Sequence, residues 1–220
     1  YLRLLLKSYF GIPVSAPYNL NDMAADTVGL LDALDIPAAH LVGMSMGGMI
    51  SQIVAGRYPD RVLSLTSIMS TSGERGEGEA SLKVSLKMVQ PASKDKTPLD
   101  IAVDIWQMLG SPAYPMSDDE IRAQVIAEHK RSSNPAGYMR QISAIRSSPS
   151  RVTLLNAIKA PTLIIHGNQD VLVPVSGGID TAKHIAHAEL VRFEGMGHTL
   201  PGALLEQFAD LIHKNSNIGA

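Results

Sequence analysis

A serine between two glycines separates a short apolar run from a helical pattern in the stretch AHLVGMSMGGMISQIVAGR, residues 39–57. The apolar run 39–43 ends in glycine and is typical of a buried parallel strand. The helical pattern begins at Met46, ends at Arg57 and is soon followed by a proline. The stretch therefore predicts a strand, a sharp turn at Ser45 and a helix, which together form a repeating unit of an α/β fold.

The same alternation continues on both sides of this stretch. A helix capped by Asn21 or Asp22 is expected upstream. Strand patterns are expected at 61–69, 161–167 and 188–195, and helical patterns at 178–187 and 200–213. Strands that alternate with helices indicate a mostly parallel sheet flanked by helices.

Residues 74–151 interrupt this alternation. They begin in a polar, glycine-rich stretch and continue in helical patterns without a strand-like run. One helix is expected to start at a capping box formed by Ser117 and Glu120. Prolines break the helical patterns at Pro91, Pro98, Pro112 and Pro135. We therefore expect an α/β core from residues 1–73 and 152–220, and a helical insertion at 74–151 that forms a cap.

Composition excludes several classes of function. The chain of 220 residues contains no cysteine, which rules out disulfides, thiolate catalysis and cysteine-ligated zinc, and fits a reducing compartment such as the cytoplasm. A net charge of −2 without a run of Lys or Arg gives no reason to expect nucleic acid or a membrane surface as partner. No apolar stretch approaches the roughly 20 residues of a membrane-spanning helix. His184 and His187 lack a further ligand at suitable spacing, so we expect no metal site.

Ser45 is a candidate nucleophile because of its place in the expected turn. A sharp turn between strand and helix lifts the serine hydroxyl above the edge of the sheet, and small neighbours relieve the crowding. The first amides of the new helix favour negative charge nearby, and we name the N–H of Met46 as the donor to a developing oxyanion. The alternative is an ordinary buried serine in a glycine-rich turn.

A nucleophilic serine needs a base and a group that orients the base. Asp170 follows the expected strand 161–167, and His198 follows the expected strand 188–195. In a parallel sheet, functional side chains meet just beyond the carboxyl ends of the strands. We therefore expect Ser45, Asp170 and His198 to lie together.

These motifs resemble those of the α/β-hydrolase superfamily, in the branch of aclacinomycin methylesterase-like and other small carboxylic-ester hydrolases. The resemblance is carried by DMAADTVGLLDALDIPAAHLVGMSMGGMISQIVAGRYPDRVLSLTSIMS, APTLIIHGNQDVLVP and GMGHTLP, and it extends weakly through the helical insertion. It implies an α/β-hydrolase fold with Ser45 as nucleophile, His198 as general base and then acid, and Asp170 as the carboxylate that orients His198. It implies no metal and no organic cofactor.

Several further residues lie near the expected site in the sequence. Substrate-pocket residues are expected among Met44, Met69, Trp106, Val171 and Met196, although core packing is the ordinary role of methionine. His166 is expected to shape the loop that carries Asp170, and His40 to pack within its strand.

The chain departs from the family upstream of Ser45. Family members supply a second oxyanion amide from a His-Gly loop that follows an earlier strand, whereas the 44 residues before Ser45 contain no His-Gly pair. Only one strand is expected before the turn. We therefore expect the first strands of the fold to be missing and the strand at 39–43 to have an exposed edge. Residues upstream of Tyr1, or a second copy of the chain, are expected to cover that edge.

The function expected from these residues is hydrolysis of small-molecule carboxylic esters, with small or medium acyl groups, through an acyl-enzyme. A serine at this position is also compatible with lactone opening, carbon–carbon bond hydrolysis and perhydrolysis, because a fold does not determine a substrate. A further alternative is a related protein that binds a ligand without catalysis.

Overall fold

The computed structural model describes residue 12 and residues 14–88, 95–132 and 134–218. The strands of this part of the chain are β1 (Ala39–Met44), β2 (Val62–Ile68), β3 (Thr162–Gly167) and β4 (Glu189–Phe193). They form a four-stranded sheet in the order β1-β2-β3-β4, and every neighbouring pair is parallel. The predicted parallel sheet is therefore confirmed.

Helices connect and flank these strands. They are α1 (Leu20–Ala33), α2 (Met46–Arg57), α3 (Leu82–Met88), α4 (Pro98–Leu109), α5 (Asp118–Arg131), α6 (Pro135–Ser147), α7 (Val152–Leu155), α8 (Ser176–Lys183) and α9 (Leu205–Ser216). Short 3₁₀ turns lie at Pro59–Arg61 and Gly202–Leu204. Each connection between neighbouring strands contains at least one helix, because parallel strands need a crossover.

α2 has the predicted bounds, whereas α1, α8 and α9 differ from the predicted ones. The N-cap of α1 is Asn19 and not Asn21 or Asp22, because the Asn19 side chain accepts the N–H of Asn21 while Asp22 accepts the N–H of Asn19 in a capping box. α8 ends at Lys183, where the chain tightens into 3₁₀-type hydrogen bonds. α9 begins only at Leu205, because a 3₁₀ turn takes up the residues before it.

The sheet is covered on both faces. Leu65 belongs to one hydrophobic cluster and Ile68 to another, and their odd separation along β2 places them on opposite faces. The first cluster includes buried side chains of α1 and α2, and the second includes Phe208 of α9. β3 is buried along its whole length. Its burial on both faces explains why this strand reads as a nearly continuous apolar run.

β1 lies at one edge of the described sheet. It pairs with β2 on one side, and Val42 and Met44 are 51% and 48% exposed. Within the described part of the chain, β1 therefore has the exposed edge that the sequence predicts. Its apolar run, which is typical of a buried strand, indicates a strand but not how many neighbours it has. The expectation that a further segment or a second copy covers this edge stays a prediction.

The described residues of the helical insertion, 74–151, form α3 to α6 and contain no strand. α4 and α5 pack together through Val103, Ile121 and Val125, with Trp106 against them. The division of the chain into a core and a cap stays a prediction. No helix in the described ranges is both long enough and apolar enough to cross a membrane.

Local signals set the helix ends of the insertion. Ser117 is the N-cap of α5 and forms the predicted capping box with Glu120. Pro98 and Pro135 are the first residues of helices, Pro112 follows the end of α4, and Pro91 lies outside the described residues. Proline is tolerated at the first helical position because an N–H at that position would have no acceptor within the helix.

Candidate active site

Ser45 lies at the turn between β1 and α2, as the sequence predicts. Its backbone has φ 52° and ψ −118°, a region that residues other than glycine rarely occupy. Its N–H donates to the carbonyl oxygen of Ile68 at 2.8 Å, which ties the turn to the end of β2. A side chain at Gly43 would overlap the carbonyl oxygen of Gly47, so the two sides of the turn can approach only because residue 43 is glycine. A strained turn between strand and helix has the geometry of a nucleophile elbow.

Ser45, His198 and Asp170 form a hydrogen-bonded chain. His198 Nε2 lies 3.0 Å from Ser45 Oγ, and His198 Nδ1 lies 2.6 Å from Asp170 Oδ2. The three residues follow the carboxyl ends of β1, β4 and β3, and parallel pairing brings these ends to the same edge of the sheet. The structure thus places together the three side chains that the sequence predicts to meet.

The Asp170 carboxylate is buried and is held from the side away from His198. Its Oδ1 accepts the backbone N–H of Leu172 at 2.9 Å and that of Val173 at 2.8 Å. Its Oδ2 accepts a hydrogen bond from the Nδ1–H of His198. With the proton on Nδ1, His198 Nε2 has a free lone pair that can accept the hydroxyl proton of Ser45. The chain of hydrogen bonds can therefore activate the serine as a nucleophile.

His166 lies at the end of β3 and is fully buried against the loop that carries Asp170. Its Nε2 lies 2.7 Å from the carbonyl oxygen of Val173 and 3.7 Å from Asp170 Oδ2. Burial is the main cause that lowers the pKa of His166 below its ordinary value. The neutral ring therefore carries its proton on Nε2 and donates it to Val173, which helps to fix the turn around Asp170.

Met46 is the first residue of α2 and lines a cavity beside Ser45. An N–H at the first position of a helix has no carbonyl one turn earlier to receive it. The positive end of the helix dipole also favours negative charge at this point. The Met46 amide is therefore suited to an oxyanion that forms next to Ser45.

The cavity beside Ser45 has a volume of about 380 Å³. We call it the serine cavity. Its apolar wall comes from α2, from α6 and from the loop after Asp170, and includes Met46, Met49, Ile142, Ile145, Leu172 and Val173. Its polar wall includes Glu74, Glu77, Glu79 and Arg151. A compact apolar organic molecule with a polar group fits such a lining.

The predicted pocket residues lie elsewhere. Met69 and Met196 are fully buried in the hydrophobic cluster that α9 covers, and Met44 is about half exposed on the edge strand β1. Trp106 and Val171 line a second cavity of about 580 Å³, between the helical insertion and the loops after β3 and β4. The prediction of these five residues as the wall of the pocket next to Ser45 is therefore corrected. Nearness to the motif along the chain does not determine on which side of the backbone a side chain packs.

Two lining residues on α6, Ile142 and Ile145, were missed by the sequence analysis. Ile142 and Ile145 share a face of α6, but no sequence signal tells which element that face meets. Their contribution depends on how the helical insertion packs.

Arg151 is a further buried residue that the sequence analysis did not single out, with 4% exposure. Its Nε donates to Gln52 Oε1 at 3.0 Å and its Nη2 donates to the carbonyl oxygen of Thr71 at 2.6 Å. Its backbone N–H donates to the carbonyl oxygen of Ser72. Burial lowers the pKa of the guanidinium to about 10, so the group keeps its charge at neutral pH. Arg151, the last residue of the helical insertion, therefore joins α2 to the residues just before the insertion.

The remaining histidines considered from the sequence have ordinary partners. His40 Nδ1 lies 2.9 Å from Ser64 Oγ on the neighbouring strand. His184 Nε2 lies 3.3 Å from Asp180 Oδ1, and His187 Nε2 lies 2.8 Å from the carbonyl oxygen of Ala160. Within the described ranges, no three His, Asp or Glu side chains are grouped so that they could hold a metal ion.

Comparison with known proteins agrees with this architecture. Residues 11–104 match the family described as alpha/beta hydrolase fold. The chain is 30% identical over 220 aligned residues to rhodomycin D methylesterase DauP of Streptomyces sp. (strain C5), covering 89% of this chain and 72% of that protein. It is 28% identical to 2-hydroxymuconate semialdehyde hydrolase of Pseudomonas sp. (strain CF600), covering 91% of this chain and 69% of that protein.

Solved structures show the same fold. The meta-cleavage product hydrolase from Pseudomonas fluorescens IP01 superposes with a TM-score of 0.70 at 20% identity, covering 94% of this chain and 75% of that chain. The fold, the strained turn and the relatives together define the class, and the chain belongs to the α/β-hydrolase fold family. Its relatives by sequence include rhodomycin D methylesterases and a semialdehyde hydrolase, and they support a hydrolase.

Proposed function

We propose that this chain is a serine hydrolase that cleaves carboxylic esters through an acyl-enzyme formed on Ser45. The observation that carries the proposal is the hydrogen-bonded chain from Ser45 Oγ to His198 Nε2 at 3.0 Å and from His198 Nδ1 to Asp170 Oδ2 at 2.6 Å. This order of hydroxyl, imidazole and buried carboxylate is what acyl transfer requires.

The proposed reaction has two halves. Ser45 Oγ attacks the ester carbonyl carbon while His198 Nε2 takes the hydroxyl proton, and the Met46 N–H stabilises the oxyanion of the tetrahedral intermediate. The bond to the alkoxy oxygen then breaks, and His198 gives its proton to the leaving alcohol. A water molecule, deprotonated by His198, attacks the acyl-enzyme; the bond between the acyl carbon and Ser45 Oγ breaks, His198 returns the proton to Ser45 Oγ, and the carboxylic acid is released. Asp170 holds the imidazole in the required tautomer and stabilises its charged form.

The serine cavity supports a small or medium ester as substrate. Its volume of about 380 Å³ is at the lower end of the range of pockets that hold organic ligands. Its apolar wall of methionine, isoleucine, leucine and valine side chains suits an aliphatic or aromatic acyl group. The similarity to two rhodomycin D methylesterases also favours an ester bond.

Hydrolysis of p-nitrophenyl esters with acyl chains of increasing length tests the proposal, with Ser45→Ala as the control. We expect turnover that falls as the acyl chain outgrows the cavity, and none above background in the Ser45→Ala variant. A fluorophosphonate probe is expected to label the protein at Ser45 and to leave the variant unlabelled. A folded protein that neither turns over esters nor reacts with the probe would favour a non-catalytic binding protein.

Carbon–carbon bond hydrolysis is the second candidate, because 2-hydroxymuconate semialdehyde hydrolase is among the relatives by sequence. The same serine and histidine are compatible with that reaction class, as they are with lactone opening and perhydrolysis. Parallel assays with 2-hydroxymuconate semialdehyde, a lactone and a p-nitrophenyl ester separate the classes by their kcat/KM values. If kcat/KM for the ester is well below that for the semialdehyde or the lactone, the reaction class of the better substrate would replace ester hydrolysis as the proposed function.

A further inference from the structure

The loop that carries His198 rests against the helical insertion. The segment 109–113, at the end of α4, lies along residues 195–199, which follow β4. We call these the seam segment and the histidine loop. The N–H of His198 donates to the carbonyl oxygen of Leu109 at 2.8 Å, and the N–H of Ala113 donates to the carbonyl oxygen of Gly195 at 3.1 Å. Each of the two segments thus donates a backbone hydrogen bond to the other, and we call the contact between them the seam.

The two glycines of the motif GMGH are explained by this contact and not by the chemistry. A Cβ atom on Gly195 would overlap the Cβ of Ala113, and a Cβ atom on Gly197 would overlap the carbonyl oxygen of Gly110. Gly195 also has φ 71°, which favours glycine. The histidine loop is therefore shaped to receive the backbone of the seam segment.

Ser111 is the side chain that completes the seam. It is 4% exposed, and its Oγ accepts the N–H of Gly197 at 2.9 Å. The same Oγ lies 2.7 Å from Thr199 Oγ1, so the hydroxyl that accepts from Gly197 can donate to Thr199. Ser111 consequently holds the residues on both sides of His198, while Leu109 holds the amide of His198 itself.

We propose that Ser111, a residue of the helical insertion, is a positioning residue for His198. This inference rests on the proposed function. The imidazole must stay within hydrogen-bond reach of both Ser45 and Asp170, and a displacement of about 1 Å in such a group can cost as much as 10²-fold in rate. Ser111 is not among the residues that line the serine cavity. Its loss is therefore expected to change the chemical step and not the binding of substrate.

The Ser111→Ala variant tests this role. Truncation leaves the buried N–H of Gly197 without its acceptor and frees the histidine loop. We expect kcat per active site, titrated with the fluorophosphonate probe, to fall about tenfold while KM changes by less than about twofold. The rate of probe labelling is expected to fall by a similar factor. Ser143→Ala is the matched control, because the Ser143 hydroxyl bonds within its own helix, to the carbonyl oxygen of Met139.

Hydrogen exchange of the peptide that contains residues 195–199 gives a readout that does not depend on substrate. We expect faster exchange in Ser111→Ala and an unchanged rate in Ser143→Ala. A fall in folded fraction alone, with wild-type kcat per titrated site, would show a merely structural role and overturn the proposal. So would an unchanged labelling rate.

A second variant covers the case in which Ser111→Ala fails to fold. Thr199→Val removes the hydroxyl that bonds to Ser111 at nearly constant volume, and we expect a smaller loss of kcat at constant KM. Wild-type kcat in a folded Thr199→Val protein would then overturn the proposal. An unlabelled wild-type protein overturns the proposed function, and this inference with it. A labelled wild type with an equally reactive Ser111→Ala overturns the positioning role alone.

Discussion

Asp170 Oδ2 lies 2.6 Å from His198 Nδ1, while Asp170 Oδ1 accepts two backbone amides of the same loop. The carboxylate is thus fixed on one side by its own loop and presents its other oxygen to the imidazole. A carboxylate held in this way determines which nitrogen of His198 carries the proton. The hydrogen-bonding state of Ser45 depends in turn on that tautomer.

Replacement of Asp170 by asparagine is expected to lower kcat by about 10⁴-fold with the fold retained. The amide group favours the wrong tautomer of His198, so that Nε2 no longer accepts the proton of Ser45. Ester turnover per mole of folded protein is the measurement. Asp26→Asn, at an exposed position of α1, is the matched control and should keep wild-type turnover. An Asp170→Asn variant with nearly full kcat would remove Asp170 from the mechanism.

The two glycines of the serine motif are expected to differ in their tolerance of a side chain. Gly43→Ala places a Cβ on the carbonyl oxygen of Gly47 and should prevent the turn from forming, seen as loss of soluble, cooperatively melting protein. A Cβ atom on Gly47 would have open space around it, with no packed neighbour within 4 Å. Gly47→Ala should therefore fold and raise the free energy of unfolding by up to about 1 kcal/mol, the helix preference of alanine over glycine. Equal stability of both variants in urea titration would contradict the steric argument.

Arg151→Met is expected to lower the free energy of unfolding by about 1–3 kcal/mol, measured by urea titration. Removal of the guanidinium leaves Gln52 Oε1 and the carbonyl oxygen of Thr71 without their buried donor. Arg57→Met, at the exposed end of α2, is the control and should change stability much less. Equal losses in the free energy of unfolding for the two substitutions would show that the buried hydrogen bonds of Arg151 add no stability beyond that of an exposed arginine.

The stability of the protein is expected to fall as the pH drops below about 6.5. The pKa of His166 is lowered in the folded state, mainly by burial, so the unfolded chain takes up a proton that the folded chain resists. Melting temperatures between about pH 7.5 and 5.5 measure the effect. His166→Gln, which keeps a donor for the Val173 carbonyl but does not titrate, should melt with a weaker dependence on pH. An equally steep fall in His166→Gln would assign the dependence to other groups.

A larger side chain in the serine cavity is expected to shift the preference for acyl length. Ile142 lines this cavity from α6, and Ile142→Trp should lower kcat/KM for long p-nitrophenyl esters more than for the acetate. Ile126→Trp, at an exposed site of α5, serves as the control. If Ile142→Trp changes kcat/KM by the same factor for esters of every acyl length, the acyl group binds outside this cavity.

The placement of the three central residues could be predicted because each depends on a local signal. Ser45, Asp170 and His198 follow apolar runs that form strands, and parallel strands bring their carboxyl ends to one edge whatever the details of packing. The bounds of α2 were also predictable, since an apolar run that ends in glycine precedes the helix and a proline follows soon after Arg57. Such signals lie within a few residues of the feature that they predict.

The wall of the serine cavity was not predictable in the same way. Met69 and Met196 lie next to the strand ends but pack into the hydrophobic cluster under α9, whereas Ile142 and Ile145 come from a helix about 100 residues after Ser45. The apolar run of β1 by itself did not indicate the exposed edge of this strand, which was expected only from the small number of strands before Ser45.

Backbone preference and hydrophobic period act over short distances, so the amino-acid sequence alone sets the order of strands and helices, the sharp turn at Ser45 and the identity of the side chains that meet there. Packing in three dimensions sets what surrounds them: the buried guanidinium of Arg151, the apolar face of α6 and the hydroxyl of Ser111 beside the histidine loop. These contacts join residues far apart in the chain, and they depend on how preformed elements pack, which no local pattern encodes.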